Sequence, residues 1–274
     1  MILREWWLRD RIAHMQASSV HRHRLAPSPR SSSAVAALLV DERDADVRGV
    51  LIPRPESCLV LRFGPTTRTG LDVYAVGARQ TVHRKFIRTG QRTVTARLRL
   101  DAQQAVLGVP ASAIAERIVA LDELWGEAAT RPLFEQLADA RDTFEAAAIL
   151  ERAIAERFAH AAERRAGARL ALDAADRLSH GNVSSVALDL GVSERHLRRV
   201  FQETVGMSPK VFSQLLRFGR ALRAARSENQ RNWASIALDT GYYDQAHLIA
   251  DFRAIAGATP RALLDELSTS LFVG

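Results

Sequence analysis

The sequence lacks several features on which common functions depend. Cys58 is the only cysteine among the 274 residues, which excludes an internal disulfide and a multi-cysteine zinc site and is typical of a reducing compartment. The longest apolar run, residues 34–40, is far shorter than the roughly 20 residues that span a bilayer, so we expect no membrane contact. Neither a glycine-rich phosphate loop nor a Ser/His/Asp constellation is found, so we predict no catalysis and no cofactor.

Positive charge, by contrast, is in excess. The formal net charge is +7 at pH 7, which favours a polyanionic partner but also occurs in proteins that never bind nucleic acid. The excess is local: from Arg195 to Arg231, nine Lys or Arg residues oppose only Glu203 and Glu228, a balance of +7. Such a concentration in one stretch suits contacts with the phosphates of DNA.

The first 33 residues combine Arg and His with a Pro/Ser stretch that ends in three serines. We predict that they form a poorly ordered basic tail. His21 and His23 flank Arg22, but no further ligand is close in sequence, so a solvated tail is favoured over a metal site and no metal is expected.

The pattern changes from alternation to helical periodicity near residue 110. Over residues 93–100 apolar and polar side chains alternate with period two, as in a half-buried strand, and residues 59–63 and 73–76 are similar. Helical segments follow. We therefore predict a multidomain α+β protein, with a β-rich domain over residues 34–145 whose C-terminal part is helical.

Residues 146–165 are rich in Ala, Glu and Arg, and Leu150, Ile154 and Phe158 lie four apart on one face. This spacing predicts an amphipathic helix. We interpret it as a linker helix that leads to the next domain. Packing of its apolar face against a partner subunit, in a homodimer, is the alternative.

An internal repeat occupies the last hundred residues. Residues 186–191 (VALDLG) align with residues 236–241 (IALDTG). After a one-residue insertion, Leu197, Phe201, Gly206 and Pro209 align with Leu248, Phe252, Gly257 and Pro260. A match of this length and order indicates a duplicated structural unit.

Each copy has the pattern of a helix-turn-helix: a short helix, a turn that contains glycine, and a second helix. The small side chains of Ala187 and Ala237 permit close crossing of the two helices. We predict the units at about residues 183–205 and 232–256, within an all-α domain over residues 166–267.

The ends of the second helix carry expected capping residues in both copies. Ser193 and Asp244 stand where a side-chain oxygen can accept hydrogen bonds from the free NH groups of the first turn. Gly206 and Gly257 suit the last turn, where a left-handed residue commonly ends a helix. These residues serve the fold, so function must reside on the face they leave exposed.

The second helix of the first copy has an apolar stripe made of Leu197, Val200, Phe201 and Val205. The opposite face carries Arg195, Arg198, Arg199 and Gln202. Arginine can bond guanine O6 and N7 together in the major groove, so we predict that these four residues read bases. For an isolated helix, the alternative is that these four residues form only a solvated charged face. The duplicated motif favours base contacts, and we call these four residues the reading face of the helix.

The second copy has lost most of these donors. The aligned residues are Ala246, Ile249, Ala250 and Arg253. Small apolar side chains can touch thymine methyl groups, and Gln245 or His247 can supply a hydrogen bond, so we predict weaker readout by Gln245, Ala246, Ile249 and Arg253. A purely structural role for His247 is equally open.

Between the copies, Phe212, Leu215, Leu216, Gly219 and Leu222 trace one stripe of a long connecting helix. The basic residues on its other faces favour phosphate contacts, which we assign to Lys210, Arg217, Arg220 and Arg223.

Residues 166–267 resemble the DNA-binding domain of the AraC/XylS transcription regulators. The matching signatures are Gly191-x-Ser193-x-x-x-Leu197-x-x-x-Phe201-x-x-x-x-Gly206-x-x-Pro209 and Gly241-Tyr-Tyr-Asp-Gln-Ala-His-Leu248-x-x-x-Phe252-Arg253-x-x-x-Gly257-x-x-Pro260. The resemblance implies two recognition helices, joined by a long helix, in successive major grooves of double-stranded DNA. It also implies a bacterial cytoplasmic, nucleoid-associated regulator, an activator that contacts RNA polymerase. Ala250 departs from the family, in which many members have an arginine, and this puts strong base readout by the second unit in doubt.

The first half resembles an uncharacterised N-terminal domain of actinobacterial-type members, through residues 70–77, 83–85 and 105–110. In the family such domains sense a small molecule or mediate dimerisation, usually on a β-rich, cupin-like scaffold. No effector-binding residue can be mapped by this resemblance, and Tyr74, His83 and Arg84 are only guesses.

Two other classes of function compete with this interpretation. Some DNA-repair alkyl-acceptor proteins join a reactive cysteine to the same DNA-binding domain, and Cys58 would have to be that nucleophile, although no base that would activate it is near in sequence. A non-specific architectural DNA-binding protein is the second alternative, and an arginine-rich reading face argues against it.

Overall fold

The computed structural model describes residues 20–67, 70–161, 167–227 and 232–273. Its strands are β1 (Val20–Leu25), β2 (Val35–Arg43), β3 (Val47–Leu51), β4 (Cys58–Phe63), β5 (Leu71–Val76), β6 (His83–Ile87), β7 (Arg92–Leu98), β8 (Ile118–Ala120) and β9 (Leu271–Val273). A six-stranded antiparallel sheet has the order β1-β2-β7-β4-β5-β8. A three-stranded sheet has the order β6-β3-β9, in which β9, from the C-terminal end, pairs in parallel with β3.

One face of the six-stranded sheet is apolar and the other is polar. Because side chains alternate along a strand, Leu59 and Leu61 of β4 lie on the same face and are fully buried. Five helices follow the strands and contribute to the core on this side: α1 (Gln103–Leu107), α2 (Ala111–Ile114), α3 (Leu121–Trp125), α4 (Glu127–Ala138) and α5 (Thr143–Ala159). The opposite face carries charged side chains, among them Asp41, Arg43 and Arg97, which are nevertheless buried.

The predicted linker helix belongs to the first domain. Helix α5 covers Thr143–Ala159 and packs on β2 and β7. Leu150, Ile154 and Phe158, the face identified from the sequence, are buried in the same core as the strands. An apolar helical face needs an apolar partner, and the sheet supplies it within the chain. The linker interpretation is therefore wrong for this helix, and its apolar face is not left for a second subunit.

The prediction of a poorly ordered tail over residues 1–33 is also wrong in part. Residues 20–25 form β1, which pairs with β2 in register from Val20 opposite Arg43 to Leu25 opposite Leu38. Arg22 donates to both carboxylate oxygens of Asp41, at 2.6 and 3.2 Å. A strand at a sheet edge tolerates polar and charged residues, so composition alone could not distinguish it from a tail. Residues 1–19 of the predicted tail lie outside the described residues.

The second half is helical. It contains α6 (Ala168–Arg177), α7 (Val183–Asp189), α8 (Glu194–Val205), α9 (Pro209–Ser227), α10 (Trp233–Asp239), α11 (Gln245–Ala256) and α12 (Pro260–Thr269). Helices α7–α8 and α10–α11 occupy the residues in which the two helix-turn-helix units are expected. The predicted fold class, a β-rich domain followed by an all-α domain with two such units joined by a long helix, is confirmed.

The connecting helix α9 holds both units through aromatic contacts. Phe212, near its beginning, meets Phe201 of α8 edge to face, with the ring centroids 5.2 Å apart. Phe218, two turns later, packs on Phe252 of α11 at 4.6 Å. All four rings are fully buried, so each unit is fixed to the same rigid helix.

The two halves share apolar contacts. Val50, Ala78, Val82 and Leu100 of the first half are buried in the core of the helical domain. The helical domain is therefore packed on the first domain. Among the helices that the structure describes, none has both the length and the apolar composition needed to cross a membrane.

Candidate nucleic-acid interface

The second helix of each unit begins at the predicted cap. Ser193 Oγ accepts a hydrogen bond from the backbone NH of His196 at 3.2 Å, and Asp244 Oδ1 accepts one from the NH of His247 at 2.7 Å. Gly206 and Gly257 end these helices in the left-handed conformation, with φ of +83° and +66°. The capping predictions are thus confirmed, and both helices have defined N-terminal ends.

The first helix of each unit has a cap that the sequence analysis missed. The side chain of Asn182 accepts from Ser185 N at 2.9 Å, and that of Asn232 accepts from Ser235 N at 3.2 Å. The signal was present in the repeat, since each asparagine stands four residues before the aligned Val186 or Ile236.

The turn between the helices begins with the same backbone contact in both units, and it is one residue longer in the second unit. The backbone NH of Val192 donates to Ala187 O at 3.0 Å, and that of Tyr242 donates to Ala237 O at 2.9 Å. Both alanines are buried at the helix crossing, as expected from their size. The two copies therefore share the contact that begins the turn between their helices.

The reading face of α8 is exposed. Leu197, Val200, Phe201 and Val205 are buried, and Arg195, Arg198, Arg199 and Gln202 are exposed, which is the predicted division of the helix.

Two of the arginines on this face are paired with acidic residues of the same helix. Arg198 Nη2 donates to Glu194 Oε2 at 2.6 Å, and Arg199 Nη1 lies 3.3 Å from both carboxylate oxygens of Glu203. Hydrogen bonds from Ser184 and then Arg198 lower the pKa of Glu194. The arginines remain 55% and 59% exposed, and such exposed pairs are weak, so the guanidinium groups can exchange them for acceptors on DNA. The i,i+4 spacing made these pairs predictable from the sequence.

The reading face of α11 is exposed at most of the predicted positions. Gln245, Ala246, Ala250 and Arg253 are exposed. Ile249 is only partly exposed because it packs against the core, so it is less available for base contacts than predicted. The ring of His247 stands edge-on to Tyr242 with centroids 5.2 Å apart, a structural contact.

Two of the four predicted phosphate contacts on α9 are committed to other partners. Lys210 and Arg223 are exposed. Arg217 is partly buried, with Nη2 3.5 Å from Asp251 Oδ2 and its guanidinium 5.3 Å from the centre of the Tyr242 ring. Arg220 Nη1 donates to the backbone carbonyl of Ser179 at 3.0 Å, and burial lowers its pKa. Both side chains therefore join helices within the domain.

A polar network connects α9 to the second recognition helix. Asp251, buried on the inner side of α11, accepts from Gln214 Nε2 at 2.9 Å and pairs with Arg217. Burial, and then the negative charge of Asp251, raise the pKa of Tyr242, which lies in the same network. The network holds α11 against α9, and neither Gln214 nor Asp251 was identified from the sequence.

The effector residues guessed from the sequence do not converge. His83 Nε2 lies 3.6 Å from Glu116 Oε2, whereas Arg84 donates to Glu266 at 2.6 and 2.8 Å and to Ala256 O at 3.0 Å. As neighbours on β6 they point to opposite faces of the strand. Tyr74 lies on β5, on the polar face of the six-stranded sheet.

Cys58 has the properties of a structural thiol. It is partly buried at the start of β4, and burial raises its pKa to about 11. A thiol with this pKa is protonated at neutral pH and is a poor nucleophile, which argues against the alkyl-acceptor alternative. Within the described parts of the chain, no group of three His, Cys, Asp or Glu side chains is placed to hold a metal ion.

Comparison with known proteins identifies the helical domain. Residues 186–266 match a family model described as "Helix-turn-helix domain", and this domain is of the AraC type. No curated protein matches the chain.

Solved structures show weaker likenesses. A DNA-binding transcriptional dual regulator from Escherichia coli K-12 is 21% identical, covers 36% of this chain and 89% of its own, and has a TM-score of 0.31. ToxT from Vibrio cholerae is 8% identical, with 90% of this chain and 98% of its own covered and a TM-score of 0.41. ToxT bound to an unsaturated fatty acid is also 8% identical, with 92% and 97% covered and a TM-score of 0.39. All three TM-scores are below 0.5.

Proposed function

We propose that this protein is a transcription regulator that binds double-stranded DNA sequence-specifically, with α8 and α11 in successive major grooves. One observation carries the proposal: two helix-turn-helix units with matching caps present exposed helices and are fixed to the same connecting helix by buried phenylalanines. A rigid pair of this kind suits a site longer than one turn of DNA, about 34 Å.

The two units have unequal roles in this proposal. Arg195, Arg198, Arg199 and Gln202 of α8 supply strong donors for base edges. On α11, Gln245, Ala246 and Arg253 remain candidates, with Ile249 at the edge of the core. Lys210 and Arg223 are the phosphate contacts on α9, and Arg217 and Arg220 position the units.

Protein partners belong to the same proposal. Leu188 and Leu238, at equivalent positions of the repeat, are 81% and 66% exposed, and Tyr243 is 86% exposed. We assign these three side chains as candidates for a protein contact, with RNA polymerase as the partner of an activator in the bacterial cytoplasm. We further propose that the protein forms a homodimer and that its first domain binds a small-molecule effector.

Selection of binding sites from a pool of random DNA duplexes, at near-physiological salt, tests the proposed sequence-specific binding. We expect two enriched elements whose centres lie about one helical turn apart, with the more constrained element contacted by α8. Salt-sensitive binding without an enriched sequence would instead identify an architectural DNA-binding protein.

A further inference from the structure

The polar face of the six-stranded sheet collects charged side chains that the proposed DNA contacts do not include. Strand pairing places Cys58 beside Arg97, and Arg62 beside both Asp72 and Thr93. Asp41 and Arg43 lie two residues apart on β2 and therefore on the same face of that strand.

The three-stranded sheet faces this side. Lys85 of β6 is within electrostatic reach of Arg43, Asp41, Arg79 and Arg62, and desolvation, followed by the charge of Arg43, lowers its pKa to about 8. Lys85 is itself exposed, so it lies at the solvent side of the charged region.

Positive charge outnumbers negative charge here. The set, which we name the basic cluster, contains the cations Arg22, Arg43, Arg54, Arg62, Arg79, Lys85 and Arg97 and the carboxylic acids Asp41, Glu56 and Asp72. Asp41 is bonded to Arg22, and Asp72 is bonded to Arg62. Burial raises the pKa of Glu56, which weakens the third acid as a counter-charge.

Arg43 is the most deeply buried cation of the basic cluster. Its side chain is 3% exposed, and its ion pair with Asp41 Oδ1 is 3.6 Å long, too long for a good hydrogen bond. Among the residues that the structure describes, Nη1 has no hydrogen-bond partner. A buried guanidinium group in this state is costly, and burial lowers its pKa to about 10.

We propose that the basic cluster binds a small oxyanion with two negative charges, a dicarboxylate or a phosphate group, between the two sheets. Such an anion accepts from Arg43 Nη1 and neutralises the excess charge around Arg79 and Lys85. The ligand would be the effector that the proposed function leaves open, but the site does not depend on DNA binding, so it is tested without DNA.

The test is thermal unfolding of the full chain in sodium succinate, in sodium phosphate and in sodium chloride at matched ionic strength. We expect at least one dianion to raise the unfolding midpoint along a saturating curve, by roughly 3 °C at ten times its dissociation constant. Midpoints in both dianions equal to those in chloride would overturn the site.

Variants separate binding from a general salt effect. Arg43→Met/Arg97→Met removes two buried charges, and Lys85→Met is a milder change at the exposed side of the cluster, in case the double variant does not fold. Both should lose the saturating rise, while Arg131→Gln, on the exposed surface of α4, should keep it. An equal rise in Lys85→Met and the wild type would overturn the proposal, because general exclusion of these ions from protein surfaces stabilises all variants alike.

Discussion

Gln103 of the first domain donates a hydrogen bond from Nε2 to the backbone carbonyl of Thr204, in the last turn of the first recognition helix, at 3.2 Å. The same fully buried side chain accepts from Ser57 N at 2.6 Å. In the second unit, Ile255 O near the end of α11 accepts from the backbone NH of Val82 at 2.8 Å. The C-terminal ends of both recognition helices are thus bonded to the first domain, which sets how their reading faces are oriented.

Glycine substitutions at these two helix ends should have unequal effects. Gly206→Ala and Gly257→Ala both place a side chain at positive φ, which costs roughly 1 kcal/mol. Only at Gly206 would the new Cβ meet the first domain, 3.0 Å from Ala111 O, whereas nothing lies within 4 Å at Gly257. We expect Gly206→Ala to lower the free energy of unfolding of the full chain more than Gly257→Ala, by urea denaturation. Equal losses would show that the contact between the domains does not stabilise the protein.

Removal of the carboxylate at Asp251 should destabilise the helical domain. Asp251→Ala leaves Gln214 without its acceptor and Arg217 without its ion-pair partner, at a cost of about 1–3 kcal/mol in urea denaturation. Asp265→Ala, which removes an exposed carboxylate from α12, is the control and should cost less. A loss no greater than that of the control would mean that the network does not fix α11 to α9.

An arginine at the position aligned with Arg199 should strengthen the second unit. Ala250 is exposed on α11, so Ala250→Arg should tighten binding to the selected DNA severalfold if this helix lies in a major groove. Ala262→Arg adds the same charge to the exposed surface of α12 and should have a smaller effect. Equal affinities of the two variants, measured by fluorescence anisotropy, would place α11 away from the bases.

Base contacts and phosphate contacts should separate by their salt dependence. Arg198→Ala should relax preference at one base position, and it breaks only an exposed pair with Glu194, so the fold should persist. Arg223→Ala should weaken binding to all duplexes and reduce the slope of log affinity against log salt by about 1. Losses of affinity that are independent of sequence in both variants would contradict the division of roles.

Much of the candidate interface could be predicted from the sequence because it depends on local spacing. Ser193 accepts from the NH three residues further on, and the stripe through Leu197 and Phe201 defines which face of α8 is exposed. Contacts between distant segments could not be found in this way. Asp251 lies 37 residues from Gln214 in the sequence. Nothing in the sequence around Arg217 distinguishes it from an exposed arginine.

The first domain was less predictable for the same reason. The apolar face of α5 was identified correctly, but its partner, the six-stranded sheet, is assembled from strands far apart in the chain. Strand β1 exists because β2 offers it a free edge, and a single strand of Arg and His carries no pattern that reveals this.

Selection of genomic DNA fragments by the purified protein, at near-physiological salt, tests sequence-specific binding through α8 most directly. The wild type is compared with the Arg195→Ala/Arg198→Ala/Arg199→Ala variant, whose substitutions lie on an exposed face and should leave the core intact. We predict a sharp enriched motif for the wild type that the variant loses while it retains salt-sensitive binding. The same motif in both proteins, or no motif in either, would contradict the assignment of base readout to these arginines.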